Sequence, residues 1–116
     1  MTSRWNIIHF RTKSGEFPVK EFIDNLNPKA KAKVINAVDL LEEYGLRVGS
    51  PRVKKLTGTD LWELRIVGSD NIRIFYIAVS QKNFLFLHGF IKKKQKTDRS
   101  EIRRAIDRLA DYRTRK

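Results

Sequence analysis

Three apolar runs follow one another closely in this chain: Leu61 to Val67, Ile72 to Val79 and Phe84 to Ile91. Only Gly68-Ser69-Asp70-Asn71 and Ser80-Gln81-Lys82-Asn83 separate them. Runs rich in Ile, Phe, Val and Tyr, bounded by Gly, Ser, Asp and Asn, read as strands. Links this short turn the chain straight back, so consecutive strands are antiparallel neighbours in a meander. The remaining segments have to be built around that sheet.

Trp5 to Phe10 alternates, is rich in bulky residues and reads as a first strand, closed by a loop at Gly15. Pro18 suits a first helical position, and Val19, Phe22, Ile23 and Leu26 have the spacing of one helix face. Asn27-Pro28 ends that helix and begins another, with Asn27 as cap, Val34, Val38 and Leu41 as a buried stripe, and Gly45 just past the last turn at Tyr44. So short a connection makes the two helices an antiparallel or steeply angled hairpin. A loop at Gly49-Ser50-Pro51 leads into the meander, after which Ile102, Ala105, Ile106 and Leu109 return to helical period. Asp98, with Glu101 three residues on, resembles a capping box, and Thr97 is the competing cap. The order βααβββα describes an α+β fold: one antiparallel-rich sheet, a helical hairpin on one face and a C-terminal helix. At 116 residues, without a repeat or linker, residues 1–116 are expected to form a single domain.

Charge narrows the partners. There are 25 Lys and Arg against 13 Asp and Glu, a formal +12, and Lys92 to Lys116 supplies +7 of it from eleven basic and four acidic residues. Such a surface concentrates polyanions and makes binding salt-sensitive, so nucleic acid is the first partner to consider; a solubilising surface or an acidic protein partner are the alternatives. With no Cys and only His9 and His88, neither a disulfide framework nor the usual zinc site can be assembled, and no metal or cofactor is expected. Phe84 to Ile91 is far short of the roughly 18 residues of a membrane span. Met1-Thr2-Ser3-Arg4 leads into a strand and not into a signal-peptide core, so a soluble, cytoplasmic protein is expected.

Alternation places Glu63 and Arg65 on one face of their strand and Leu64 and Ile66 on the other. One sheet face is therefore expected to pack on helices and the opposite one to stay open and charged. Arg73 joins the charged face from the next strand. If Leu85 and Leu87 serve the core, Phe86, His88 and Phe90 fall on the open face, with Lys92 where the strand runs out. Arg65, Arg73 and the Lys92-Lys93 pair then converge, and Lys54 and Lys55 extend the basic surface. Each feature also has a plainer reading: a solvated Glu63–Arg65 ion pair, a hydrogen-bonded half-buried His88, a core Phe90, and a solvated run from Lys92 to Lys96.

Lys54-Lys55-Leu56, Leu61-Trp62-Glu63-Leu64-Arg65, Arg73-Ile74-Phe75-Tyr76, Leu87-His88-Gly89-Phe90-Ile91-Lys92-Lys93 and Gln95-Lys96-Thr97, in that order, resemble the RelE/ParE toxin superfamily and, within it, the HigB-like, phage-derived branch. Pro18-Val19-Lys20-Glu21-Phe22 and Glu101-Ile102 extend the resemblance over nearly the whole chain. It implies the toxin of a type II toxin–antitoxin pair, an endoribonuclease that cleaves mRNA on the ribosome and is neutralised by a helix-turn-helix antitoxin in a hetero-oligomer. It also implies catalytic-site roles for Arg65, Arg73 and Lys93, with Lys92 beside it. Glu63 fits the HigB-like branch where other members carry Lys, and Gln95-Lys96-Thr97 lacks the tyrosine that some relatives place after the last strand.

Metal-free RNA cleavage needs the 2′-hydroxyl activated, the phosphorane charge stabilised and the 5′-oxygen protonated. Arg65 and Arg73 suit the second task, because a guanidinium donates to two phosphate oxygens at once. Crowded cations favour neutral lysine, which makes Lys92 or Lys93 a candidate acid or base; Glu63 is a candidate base or the group that holds the arginine in place. Phe90 or Trp62 would stack on an unpaired base, with Lys54, Lys55, Lys94, Lys96, Arg103 and His88 completing the RNA contacts. Two other functions fit the same residues: a growth inhibitor that binds DNA gyrase, and a non-catalytic RNA-binding module.

Overall fold

The computed structural model describes residues 4–66, 68 and 71–115. Met1 to Ser3 ahead of the first strand, Val67, Ser69 and Asp70 around the first link of the meander, and Lys116 of the basic tail lie outside the described residues. The elements are β1 (Asn6–His9), α1 (Pro18–Asp24), α2 (Pro28–Tyr44), β2 (Val53–Lys55), β3 (Trp62–Arg65), β4 (Ile72–Val79), β5 (Asn83–Ile91) and α3 (Arg99–Thr114). This is the expected α+β order with two additions, a single 3-10 turn at Gly45–Arg47 and the three-residue β2.

The sheet runs β1-β5-β4-β3-β2, antiparallel except where β1 lies parallel to β5. Between β4 and β5, Gln81 and Lys82 take positive φ (60° and 62°), and the Asn83 side chain donates to the Ser80 carbonyl at 2.6 Å. Asn27 caps α2 as expected, its side-chain oxygen accepting from the Ala30 N–H at 2.9 Å. Gly45 ends α2 at φ +55°, and a Cβ there would stand 2.2 Å from Trp5 Nε1. Trp5 itself stacks on Phe84 at 4.3 Å, so the end of α2 closes against the start of β1. Among the described residues no helix is long and apolar enough to cross a membrane.

The sheet is buried on both faces. Val19, Val34 and Leu41 of the α1/α2 hairpin pack with Leu64, Ile74, Tyr76, Phe84 and Phe86 on one side. Ala105 and Leu109 of α3 pack with Leu61, Phe75, Ile77, Leu85, Leu87 and Phe90 on the other. The expectation of one open, charged face is corrected accordingly. The near-continuous apolar runs in β4 and β5 are what a sheet covered twice requires.

A bulge alters the phase of β5. Tyr76 pairs with Phe86 but Phe75 pairs with His88, leaving Leu87 without a register partner. Leu87 and His88 consequently point to the same side, toward α3, and Phe86 belongs to the opposite core. Phe86 does not share a face with His88 and Phe90, as strict alternation had required. The shift also turns Gly89 toward α1, where a Cβ would lie 2.6 Å from Phe22 Cδ2.

Candidate functional site

Directly opposed residues of an antiparallel ladder share a face. Two rows therefore cross the α3 side of the sheet: Arg65–Arg73–Phe90 and Glu63–Phe75–His88. Glu63 is buried, at 4% exposure. Its Oε1 accepts from Arg65 Nε at 3.0 Å, and its Oε2 lies 3.9 Å from Arg73 Nε. Arg73 Nη1 donates to the Ile72 carbonyl at 3.2 Å, whereas its buried Nε has no hydrogen-bond partner among the described residues. Burial pulls the Arg73 pKa down, Glu63 pulls it back up, and Arg65 lowers it further. One carboxylate thus sets two guanidinia side by side, with net positive charge and an unused buried donor. Paired guanidinia with a single counter-charge have the donor chemistry that an oxyanion requires.

The lysines divide. Lys54 stands opposite Glu63 and shares its face, but Lys55 stands opposite Trp62 on the other face, with its Nζ 5.9 Å from the Trp62 ring centroid. Lys55 and Trp62 are therefore separated from the arginines by the sheet. Lys92 continues the ladder, its N–H donating to the Asn71 carbonyl at 2.9 Å. Lys92, Lys93, Lys94 and Lys96 line one hollow with Phe90 and Glu101. Phe90 is also the cross-strand neighbour of Arg73, so the hollow adjoins the arginine row.

Phe90 and His88 are each 6% exposed. The Phe90 ring packs against Phe75 at 5.1 Å and stacks with His88 at 5.4 Å, which leaves no free face for a base. His88 bears out the plainer reading and makes no surface available to RNA. Its Nε2 is 2.7 Å from Glu101 Oε1, and its Nδ1 is 3.3 Å from Arg108 Nη1. A guanidinium only donates, so Nδ1 accepts and the proton sits on Nε2, pointing at Glu101. Burial lowers the His88 pKa, the Glu101 contact opposes this, and Arg108 and Arg104 add to it. Arg103 lies on the far flank of α3, in a groove beside Phe10, and not in the lysine hollow.

A family model described as phage derived protein Gp49-like (DUF891) matches residues 21–110. The chain belongs to the Gp49-like family. This is a RelE/toxin-like family, and the matched segment contains Glu63, Arg65, Arg73, Lys92 and Lys93. No curated protein matches the chain.

In this Gp49-like chain, Glu101 and Arg108 complete a partly buried network around His88 that sequence reasoning passed over. Glu101 was expected to serve a capping box. Asp98, and not Thr97, caps α3 as that box requires, accepting from the Ser100 N–H at 3.0 Å, but the Glu101 carboxylate turns to His88 and not back to Asp98. Arg108 ties the helix to β5 a second time, through the Leu87 carbonyl at 2.8 Å. The signal was present in the helical period: Glu101, Ala105, Arg108 and Tyr112 form one stripe, and a charged pair flanking a core alanine calls for buried partners.

Proposed function

We propose that this Gp49-like protein is the toxin of a type II toxin–antitoxin pair and that it cleaves mRNA on the ribosome. The observation that supports this reading most directly is the Glu63 carboxylate spanning Arg65 and Arg73, with Arg73 Nε lacking a partner among the described residues. In the reaction the 2′-oxygen attacks phosphorus, the bond to the 5′-oxygen breaks, and a 2′,3′-cyclic phosphate and a 5′-hydroxyl result. Arg65 and Arg73 donate to the non-bridging oxygens as negative charge builds on them. Lys92 and Lys93, in the adjoining hollow, serve the proton transfers at the 2′- and 5′-oxygens. Glu63 orients the two guanidinia. An antitoxin with an acidic segment would neutralise this surface quickly, because opposite charge steers association.

A second reading, RNA binding without cleavage, is favoured by one observation: Glu63 and His88 are both engaged by neighbours in the folded chain. Toeprinting of mRNA on programmed ribosomes separates the two. The parent chain is expected to produce discrete cleavage, and Arg65→Ala or Arg73→Ala to slow single-turnover cleavage by about 100- to 1,000-fold. Ribosome binding with no cleavage by the parent would establish the second reading. Inhibition of gyrase supercoiling by the parent, with mRNA left intact, would overturn both.

A further inference from the structure

Helix α3 has a second flank that the proposed cleavage site leaves unused. A groove runs between it and the chain leaving β1 at Phe10, and Ser100, Arg103, Arg104 and Arg108 stand along its helical wall. Phe10 is buried, and the Arg108 and Arg115 guanidinia lie 5.8 and 5.5 Å from its ring centroid. Arg108 is fixed in place by its Nη1 contacts with the Leu87 carbonyl and His88 Nδ1, and its other N–H groups make no hydrogen bond among the described residues. Arg103 and Arg104 make no hydrogen bond or ion pair among the described residues.

Two carboxylates share the groove. Asp111 is occupied by Arg115 at 2.9 Å, so it offers little to the other arginines. Asp107 makes no ion pair among the described residues. The groove therefore presents three guanidinia against one uncommitted carboxylate, an excess that an external anion would relieve.

We propose that this groove binds the phosphodiester backbone of single-stranded nucleic acid, with Arg103, Arg104 and Arg108 as the phosphate contacts. Guanidinium forks match phosphate oxygens in pairs. A groove walled by protein on both sides admits one strand, whereas a duplex meets a surface with both backbones. The groove and the lysine hollow lie on either side of the first turn of α3, where the adjacent residues Ser100 and Glu101 line the groove and the hollow respectively. A strand rounding that turn meets both. The inference goes beyond the ribonuclease reading, since binding here needs no chemistry at Arg65 or Arg73.

The test is fluorescence anisotropy of the full chain with a labelled single-stranded RNA oligonucleotide over a series of salt concentrations, without ribosomes. Each single-strand phosphate contact contributes about 0.7 to the slope of log affinity against log salt, so Arg103→Gln/Arg104→Gln is expected to lower that slope by about 1.4 and to weaken binding about 10- to 30-fold at 0.1 M salt. Asp107→Asn is expected to tighten binding. All three positions are exposed, so the substitutions leave the core intact. An unchanged slope and affinity in the double variant overturns the proposal, as does tighter binding of a duplex of the same sequence. A chain that cleaves nothing but loses slope as expected upholds the groove and overturns only the ribonuclease reading.

Discussion

Glu63 sits where an unpaired charge is expensive, nearly buried and shared by Arg65 and Arg73. Glu63→Ala would leave two partly buried guanidinia without their counter-charge, and breaking such a pair costs about 3 kcal/mol. Glu63→Gln keeps an acceptor for Arg65 and should cost less. Urea unfolding of both variants measures this, and a loss below about 0.5 kcal/mol for Glu63→Ala would mark the pair as a solvated one. That Glu63, Arg65 and Arg73 meet was legible in the sequence, because side chains on a strand repeat with a period of two and the links fix which strands are neighbours. Their burial was not. It depends on the packing of α3 against β4 and β5 on that side of the sheet, and alternation within a strand carries no record of what lies above it.

Among the elements, β5 shows most clearly what local pattern reveals and what it hides. Its existence and its partner β4 followed from composition and turn residues, and so did α2, marked at both ends by Asn27-Pro28 and Gly45. The bulge at Leu87 did not, because an extra residue in a uniformly apolar run leaves the pattern looking the same. The strand β2 was missed for a related reason: Val53 is its single buried residue, and one apolar position has no period. Gly89 makes the bulge testable. Gly89→Ala would put a methyl group 2.6 Å from Phe22 Cδ2 and push α1 off the sheet. Overpacking of this kind costs about 1–3 kcal/mol. Phe22→Leu in the same chain should recover part of the loss, and thermal unfolding of the two single variants and the double variant gives the coupling. Additive losses would show that the two side chains do not collide.

At the scale of the whole molecule, acidity should loosen the fold before it reaches the carboxylates. His9 and His88 both have pKa values lowered from 6.5, chiefly by burial, with Lys20 adding to the effect at His9 and Asp24 opposing it. The unfolded chain therefore binds these protons more readily than the folded one. Stability is full above about pH 6.5 and falls as the pH drops from there through the lowered folded values, by at most about 1.4 kcal/mol per pH unit for each histidine. Urea midpoints measured between pH 7 and 5 should decline, and His9→Gln/His88→Gln should flatten the profile. A parent profile already flat in this range would contradict the burial of both rings. Asp24 and Asp98, held below 3.8 by Lys20 and Ser100 respectively, lose their partners only in a separate, more acid window.

The parallel pairing of β1 with β5 also dictates an order of assembly. Asn6 to His9 find their partners at Asn83 to Phe86, so the first strand waits while most of the chain is made. Glu63 and Arg65 gain their neighbours Phe75 and Arg73 only with β4, and Phe75 gains its cover only with α3. Contacts so distant in sequence make folding slow and leave a long interval in which half of the sheet is bare. A fragment that stops short of β4 lacks Arg73 and so half of the arginine row. The arginine site closes only when the last helix docks, and until then the edges of the half-built sheet stay open to solvent.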